Sequence, residues 1–283
     1  MKNPKERIAI FTVFLLLLFI LYSITISSAG ALSVSAKSAA LYNPTTKSFL
    51  YTKNADIPLP MASTTKIMTA LVAIENCPLE KEVLVSDKAI GTEGSSLYLK
   101  SGEILTMCDL LMGLMLRSAN DAAAAIAYEI SGSIEGFADK MNEKAAELGL
   151  SNTHFTNPHG LDDEKHYTTA KELALIAAAA LENDTFRQIV SSKKCTIKNS
   201  DGEVRLLINH NKLLNMYDGA IGVKTGFTKR SGRCLVGAAE RNGTTLISVT
   251  INAPDDWRDH TALFDYGFQI ANNNFKTNNR ENG

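Results

Sequence analysis

The chain has 283 residues, 45% of them hydrophobic, which is enough for one large domain or two small ones. Its 29 basic and 30 acidic residues leave a net charge of −1, which argues against nucleic acid as a partner. No tract of like charges marks a polybasic or acidic tail.

Residues 1–31 read as a signal peptide or N-terminal membrane anchor. Lys2, Lys5 and Arg7 precede an uncharged apolar run over residues 8–26, and Ala29-Gly30-Ala31 offers a small-residue cleavage site. The run also has about the length that spans a bilayer, so cleavage and retention are both open. In either case the positive N-terminal flank leaves the rest of the chain extracytoplasmic, attached to the membrane through residues 8–26 if they are uncleaved. Residues 39–42 and 49–51 read as a strand pair around the turn-forming Asn43-Pro44-Thr45-Thr46. Pro58 and Pro60 lead into Ala62-Ser63-Thr64-Thr65-Lys66 and an apolar continuation to Glu75, the first turns of a mostly buried helix. Residues 103–116 read as a second helix, with Thr106 as N-cap and Asp109 at the capping-box position. Residues 117–121 interrupt it. An alanine-rich helix follows from 122 to about 130 and stops at Gly132, and 137–148 is an amphipathic helix closed by Gly149. Residues 169–181 form another apolar helix.

In the last third, residues 221–224, 234–240 and 244–251 read as strands, the last two joined through the hairpin signal Arg241-Asn242-Gly243. Residues 256–270 are a closing helix, and 271–283 are polar and expected to be a disordered tail. Strands at both ends with helices between predict an α+β fold. Its sheet is mainly antiparallel with flanking helices, and a helical subdomain is inserted between the first and last strands. Cys77, Cys108, Cys195 and Cys234 fit no Cys-x-x-Cys or zinc spacing, and free thiols are the expectation. His154, His159 and His166 cluster with Asp162 and Asp163 but match no metal-ligand spacing, so no metal site is expected.

Three short motifs carry chemistry. Ser63 and Lys66 are three apart and share a helix face. A serine hydroxyl is a poor nucleophile until a base takes its proton, and a neutral lysine one turn away is such a base. The helix N-terminus adds a partial positive charge that favours an oxyanion. Ser118 and Asn120 flank Ala119 in the break between helices. If that break is extended, both side chains point the same way, Asn120 to hold a substrate amide and Ser118 to relay a proton to a leaving nitrogen. Lys224-Thr225-Gly226 lies on a strand. Lys224 brings a second cation that, with burial, depresses the Lys66 pKa. Thr225 offers a hydroxyl to a carboxylate, and Gly226 leaves room for a peptide to lie along the strand.

Ser-x-x-Lys, Ser-x-Asn and Lys-Thr-Gly in this order resemble the trio of the active-site serine penicillin-recognising enzymes. Residues 60–70, Arg117-Ser118-Ala119-Asn120-Asp121-Ala122-Ala123, Asn157-Pro158-His159-Gly160-Leu161 and Gly222-Val223-Lys224-Thr225-Gly226-Phe227-Thr228 resemble D-alanyl-D-alanine carboxypeptidases, low-molecular-mass penicillin-binding proteins that trim peptidoglycan stem peptides. The resemblance covers roughly residues 36–270 and implies a β-lactamase/transpeptidase-like catalytic domain over 32–270, with its site where sheet and helical region meet. It implies catalysis by Ser63, Lys66, Ser118, Asn120 and Lys224, and substrate binding by Thr225, Gly226, Phe227 and Arg258. The backbone N–H groups of Ser63 and Phe227 would form the oxyanion hole, and Arg258 would help hold the substrate's terminal carboxylate. The implied partners are a stem peptide ending in D-Ala-D-Ala and β-lactams as covalent inhibitors, and no cofactor is needed. Many such enzymes continue into a β-rich second domain and an amphipathic membrane helix, and these 283 residues carry neither pattern. The rivals are a β-lactamase, disfavoured because no Glu-x-x-Leu-Asn segment lies between Asn120 and Lys224, a D,D-endopeptidase acting on cross-links, and a non-catalytic penicillin or muropeptide sensor.

Overall fold

Residues 32–281 are described in the computed structural model, so the expected signal peptide or anchor at 1–31 lies outside the described residues. The chain from Val34 onward is one unit. Its first strands, β1 (Ser38–Asn43) and β2 (Ser48–Lys53), pair antiparallel. The Asn43 carboxamide oxygen closes their turn by accepting from the Thr45 and Thr46 amides at 3.0 and 3.1 Å. The Ser63 turn is a 3₁₀ segment, Ala62–Thr65, that runs directly into α1 (Lys66–Asn76). Lys66 through Ala73 are all buried, so α1 is a central helix covered on every side.

Strands β3 (Glu82–Leu84) and β4 (Ile104–Thr106) form a small ladder. Helix α2 (Met107–Leu116) opens on the anticipated capping box. Thr106 Oγ1 accepts from the Asp109 amide at 3.1 Å, and Asp109 Oδ2 accepts from the Thr106 amide at 3.2 Å. Helix α2 starts later than the sequence suggested, because residues 104–106 are taken by the ladder. Helices α3 (Asn120–Ser131), α4 (Ile134–Glu147) and α5 (Ala170–Leu181) follow. Gly132 ends α3 at φ +71°. Helix α6 (Asp184–Ser191) and the hairpin of β5 (Lys194–Lys198) with β6 (Val204–Ile208) were not anticipated. Buried Glu103 pins that hairpin: it accepts from Asn199 Nδ2 at 2.8 Å and pairs with the Arg205 guanidinium.

The last third builds the rest of the sheet: a short helix α7 (Leu213–Met216), then β7 (Ala220–Thr228), β8 (Gly232–Arg241) and β9 (Thr244–Ile251). The order is β2-β1-β9-β8-β7, every neighbour antiparallel. The expected Asn242-Gly243 turn is present, both residues at positive φ. Along β9 the two faces alternate. Ile247, Val249 and Ile251 join the helical core, while Ser248 and Thr250 bond His260 of the closing helix α8 (Asp256–Glu281). The sheet is therefore covered on both faces, with the helical region on one and α8 on the other. Helix α8 continues past residue 270 to Glu281, where a disordered tail was expected: the stretch is polar but holds no proline or glycine to stop a helix. Strand β7 is a sheet edge, and the 3₁₀ turn that carries Ser63 abuts it.

Candidate active site

The nucleophile turn is held by its own hydroxyls. Thr64 Oγ1 donates to the Met61 carbonyl at 2.6 Å and Thr65 Oγ1 to the Ala62 carbonyl at 2.7 Å. Behind Thr65 stands His166, whose Nδ1 accepts from the Thr156 amide at 3.1 Å. Its proton therefore sits on Nε2, 2.7 Å from Thr65 Oγ1, and burial keeps the ring neutral by lowering its pKa to about 4. Ala62 sits at φ +49°, an uncommon conformation for a residue with a Cβ, immediately before Ser63. Gly160, at φ +85°, closes over this turn so tightly that a Cβ there would overlap the Ala62 carbonyl oxygen. The Asn157-to-Leu161 loop thus seats itself against the nucleophile, with Asn157 Oδ1 accepting from the Gly160 amide at 2.7 Å.

Lys66 is fully buried and reaches three oxygens: Ser63 Oγ at 3.0 Å, Asn120 Oδ1 at 2.7 Å and the His159 carbonyl. The amide of Asn120 is oriented by its other end, where Nδ2 donates to the Glu93 carbonyl. Two of the three oxygens are therefore pure acceptors. A neutral amine has two N–H donors and one lone pair. As an ammonium Lys66 donates to all three; once it is neutral, donors held by Asn120 and His159 leave its lone pair for the Ser63 hydroxyl. Burial first, then the charge of Lys224, pushes the Lys66 pKa well below its ordinary value, and Asp121 opposes that shift. Lys224, on β7, is 1% exposed and donates to the Thr225 carbonyl at 2.9 Å, and burial brings it to about 7.

Ser118 departs from the extended geometry expected of the break. Its φ is +60°, and only Ala119 is extended before Asn120 opens α3. The Ser118 side chain lines the cleft, while that of Asn120 reaches Lys66. Ser118 and Thr225 have no side-chain hydrogen bond among the described residues, and both line an open cleft of about 390 Å³. Ser63, Ser95, Gly226 and Phe227 line it as well. Gly226 lets β7 approach the nucleophile: a Cβ there would lie 3.0 Å from the Ser63 amide nitrogen.

A model of the D-alanyl-D-alanine carboxypeptidase family matches residues 25–255. The chain belongs to this family. It is 38% identical over 258 residues to a D-alanyl-D-alanine carboxypeptidase of Streptomyces sp. strain K15, covering 84% of this chain and 89% of that one. To D-alanyl-D-alanine carboxypeptidase DacF of Bacillus subtilis it is 37% identical over 227 residues, 78% of this chain and 58% of that relative. The chain thus spans under two thirds of the Bacillus protein's length. The crystal structure of the Streptomyces K15 DD-transpeptidase superposes with a TM-score of 0.79 at 36% identity, over 84% of this chain and 98% of that one.

One anticipated residue of this carboxypeptidase-family site lines an adjoining recess that shares Trp257 with the cleft. Arg258 is exposed and lines a neighbouring recess with Met216, Thr261 and Asp265, not the cleft of Ser63. Asp256 and Trp257 open α8 and face the cleft. At about 100° per residue, position 258 has already rotated away from Asp256 by some 200°. The cleft instead holds His210, Lys212 and Arg233, none singled out from sequence. Arg233 Nε is 3.1 Å from Asp256 Oδ2. The only sequence signal for the other two is the polar cluster Asn209-His210-Asn211-Lys212 between apolar stretches.

Proposed function

We propose that the protein is a serine-type D-Ala-D-Ala carboxypeptidase that removes the terminal D-alanine from peptidoglycan stem peptides through a Ser63 acyl-enzyme, and that β-lactams acylate the same serine. The observation that carries this reading is the fully buried Lys66 Nζ, 3.0 Å from Ser63 Oγ and held by two further acceptors, the Asn120 side-chain oxygen and the His159 carbonyl. As Ser63 Oγ attacks the penultimate D-alanine carbonyl, its proton passes to Lys66 Nζ. The amides of Ser63 and Phe227 hold the oxyanion; the first lies in the opening turn of a helix, where amides lack intrahelical partners. The C–N bond then breaks. Ser118 gives its proton to the departing nitrogen and takes one from Lys66, which returns to the neutral amine. Water next attacks the ester, Lys66 accepts the water's proton, and the proton passes to Ser63 as the shortened peptide leaves. Burial first, then the charge of Lys224, lowers the Lys66 pKa and so favours its return to the neutral amine between steps.

The chemistry requires an extracytoplasmic location. No helix among the described residues is long and apolar enough to cross a membrane; the apolar run over residues 8–26 is the stretch proposed to attach the chain if it is uncleaved. The test uses the chain without residues 1–31. Labelled penicillin should give one persistent adduct by intact mass, abolished in Ser63→Ala, and a peptide ending in Lys-D-Ala-D-Ala should release D-alanine. An adduct on another residue, or no D-alanine, overturns the reading.

A further inference from the structure

One loop holds both halves of the nucleophile and base pair. Residues 155–168 supply the His159 carbonyl that accepts from Lys66, and the same loop presses on the turn that carries Ser63. Gly160 does so sterically: a Cβ there would overlap the Ala62 carbonyl oxygen and lie 2.8 Å from Thr65 Oγ1. His166 does so by hydrogen bonding. It is 3% exposed and takes no part in the proposed proton transfers.

The polarity of its bonds is fixed at both ends. The Thr156 amide, at 3.1 Å, can only donate, so His166 Nδ1 accepts and carries no proton. The Thr156 hydroxyl faces the same nitrogen at 3.3 Å. Nε2 therefore bears the proton and donates to Thr65 Oγ1 at 2.7 Å. With His166 on the acceptor side of that oxygen, the Thr65 hydroxyl proton is left for the Ala62 carbonyl, 2.7 Å away. Three bonds in series thus run from Thr156 to the residue before Ser63, and hydrogen bonds in such a chain strengthen one another. Ala62 needs this support, because φ +49° is uncommon for a residue with a Cβ and persists only where its surroundings impose it. Phe155 packs edge-on against the imidazole, with ring centroids 5.8 Å apart, and restricts its tilt.

We propose that His166 is a positioning residue for the nucleophile, setting the Ser63 turn against Lys66 through Thr65 and the Ala62 carbonyl. This inference rests on Ser63 being the acylated serine, as in the carboxypeptidase reading of the site. The imidazole does not meet the substrate: it acts through Thr65 and Ala62, both 1% exposed, and it lines no part of the cleft. Its contribution is to keep Ser63 Oγ at 3.0 Å from Lys66 Nζ as the bond to substrate forms. A turn released from this brace should lose rate and not affinity, because the cleft walls are untouched.

The experiment measures the limiting rate and the half-saturating concentration for acylation of Ser63 by labelled penicillin, in the parent, His166→Gln and His166→Asn, each also in a Thr65→Val background. A glutamine amide nitrogen reaches the place of Nε2 and can donate to Thr65, whereas asparagine reaches only the place of Nδ1 and cannot. His166→Asn should lower the limiting rate about tenfold, the size of one neutral hydrogen bond realised at the transition state, with the half-saturating concentration unchanged. His166→Gln should keep most of the parental rate. In the Thr65→Val background the two variants should be equal, because the group that receives the bond is gone. Melting temperatures and adduct stoichiometry restrict the comparison to folded protein. Thr65→Ser against Thr65→Val puts the same question without touching His166: the serine should retain the rate and the valine should lose about tenfold. Equal rates within either pair, or an effect confined to the half-saturating concentration, overturn the assignment. A parent that acylates on Ser63 but releases no D-alanine from a peptide ending in Lys-D-Ala-D-Ala overturns the carboxypeptidase reading alone, and the acylation rates then still decide the role of His166. A parent with no adduct on Ser63 overturns both.

Discussion

Replacing Lys224 by methionine isolates the cost of burying its charge. Burial brings the ammonium from about 10.5 to about 7 in the folded protein. In the unfolded chain the same group titrates near 10.4. Below pH 7 both states are protonated, and the fold bears the whole cost. Between pH 7 and about 10.4 the folded protein has released a proton that the unfolded chain still holds, so stability rises with pH across this window. The interval from about 10.5 to about 7, at roughly 1.4 kcal/mol per pH unit, sets a ceiling near 5 kcal/mol. Loss of the 2.9 Å bond to the Thr225 carbonyl offsets about 1–2 kcal/mol of that. Lys224→Met should therefore be more stable than the parent by about 3 kcal/mol at pH 6, with the advantage shrinking toward pH 10. Urea unfolding followed by fluorescence of Trp257, the single tryptophan, measures this. Penicillin acylation should weaken, and its acid limb should move to higher pH, because Lys66 loses the neighbouring charge that helps hold it low. A variant less stable than the parent at pH 6, with the parent's pH slope intact, would refute the assignment of a costly buried charge to Lys224.

Lys66→Arg should slow penicillin acylation by at least about a hundredfold, because a guanidinium has no lone pair to take the serine proton; a stopped-flow rate near the parent's would place the base elsewhere. Gly160→Ala should lower stability by roughly 2 kcal/mol or more through overlap with the Ala62 carbonyl and the strain of positive φ, and an unchanged melting temperature would contradict the close seating of that loop. Gly226→Ala should leave the melting temperature nearly intact while cutting kcat/KM about tenfold, since its Cβ crowds the Ser63 amide at 3.0 Å and narrows the lane beside β7; equal kinetics would mean that substrate does not lie along the strand.

Local spacing made the chemistry legible. Ser63 and Lys66 were readable because a helix puts positions three apart on one face, and their 3.0 Å contact follows from that geometry alone. The β8–β9 hairpin was equally plain, because Asn-Gly satisfies a backbone demand that few dipeptides meet. The hairpin of β5 and β6 was missed although Asp201-Gly202 marks its turn, because Val204, Leu206 and Ile208 alternate on an exposed face and do not read as a core-facing strand. The facing of Arg258 was hidden for a different reason. The facing of a residue in the first turn of α8 depends on where the helix begins, and one position of register turns a side chain by about 100°. The acceptors for Lys66 were unreadable for a third reason: the His159 carbonyl is a main-chain group, present at every position and distinguished only by the fold.

The grip on Lys66 has a consequence for how the chain matures. The base touches Ser63, Asn120 and His159, with |i−j| values of 3, 54 and 93, and Lys224 completes the site from the last third of the sequence. Contacts so distant along the chain form late, after the loops between them have closed. A refolding molecule that lacks β7 has a serine but no complete relay, and it should be chemically silent. Labelled penicillin added during refolding would therefore stamp only those molecules whose longest-range contacts have closed, so the rate at which adduct becomes accessible is a covalent clock for the final step of folding.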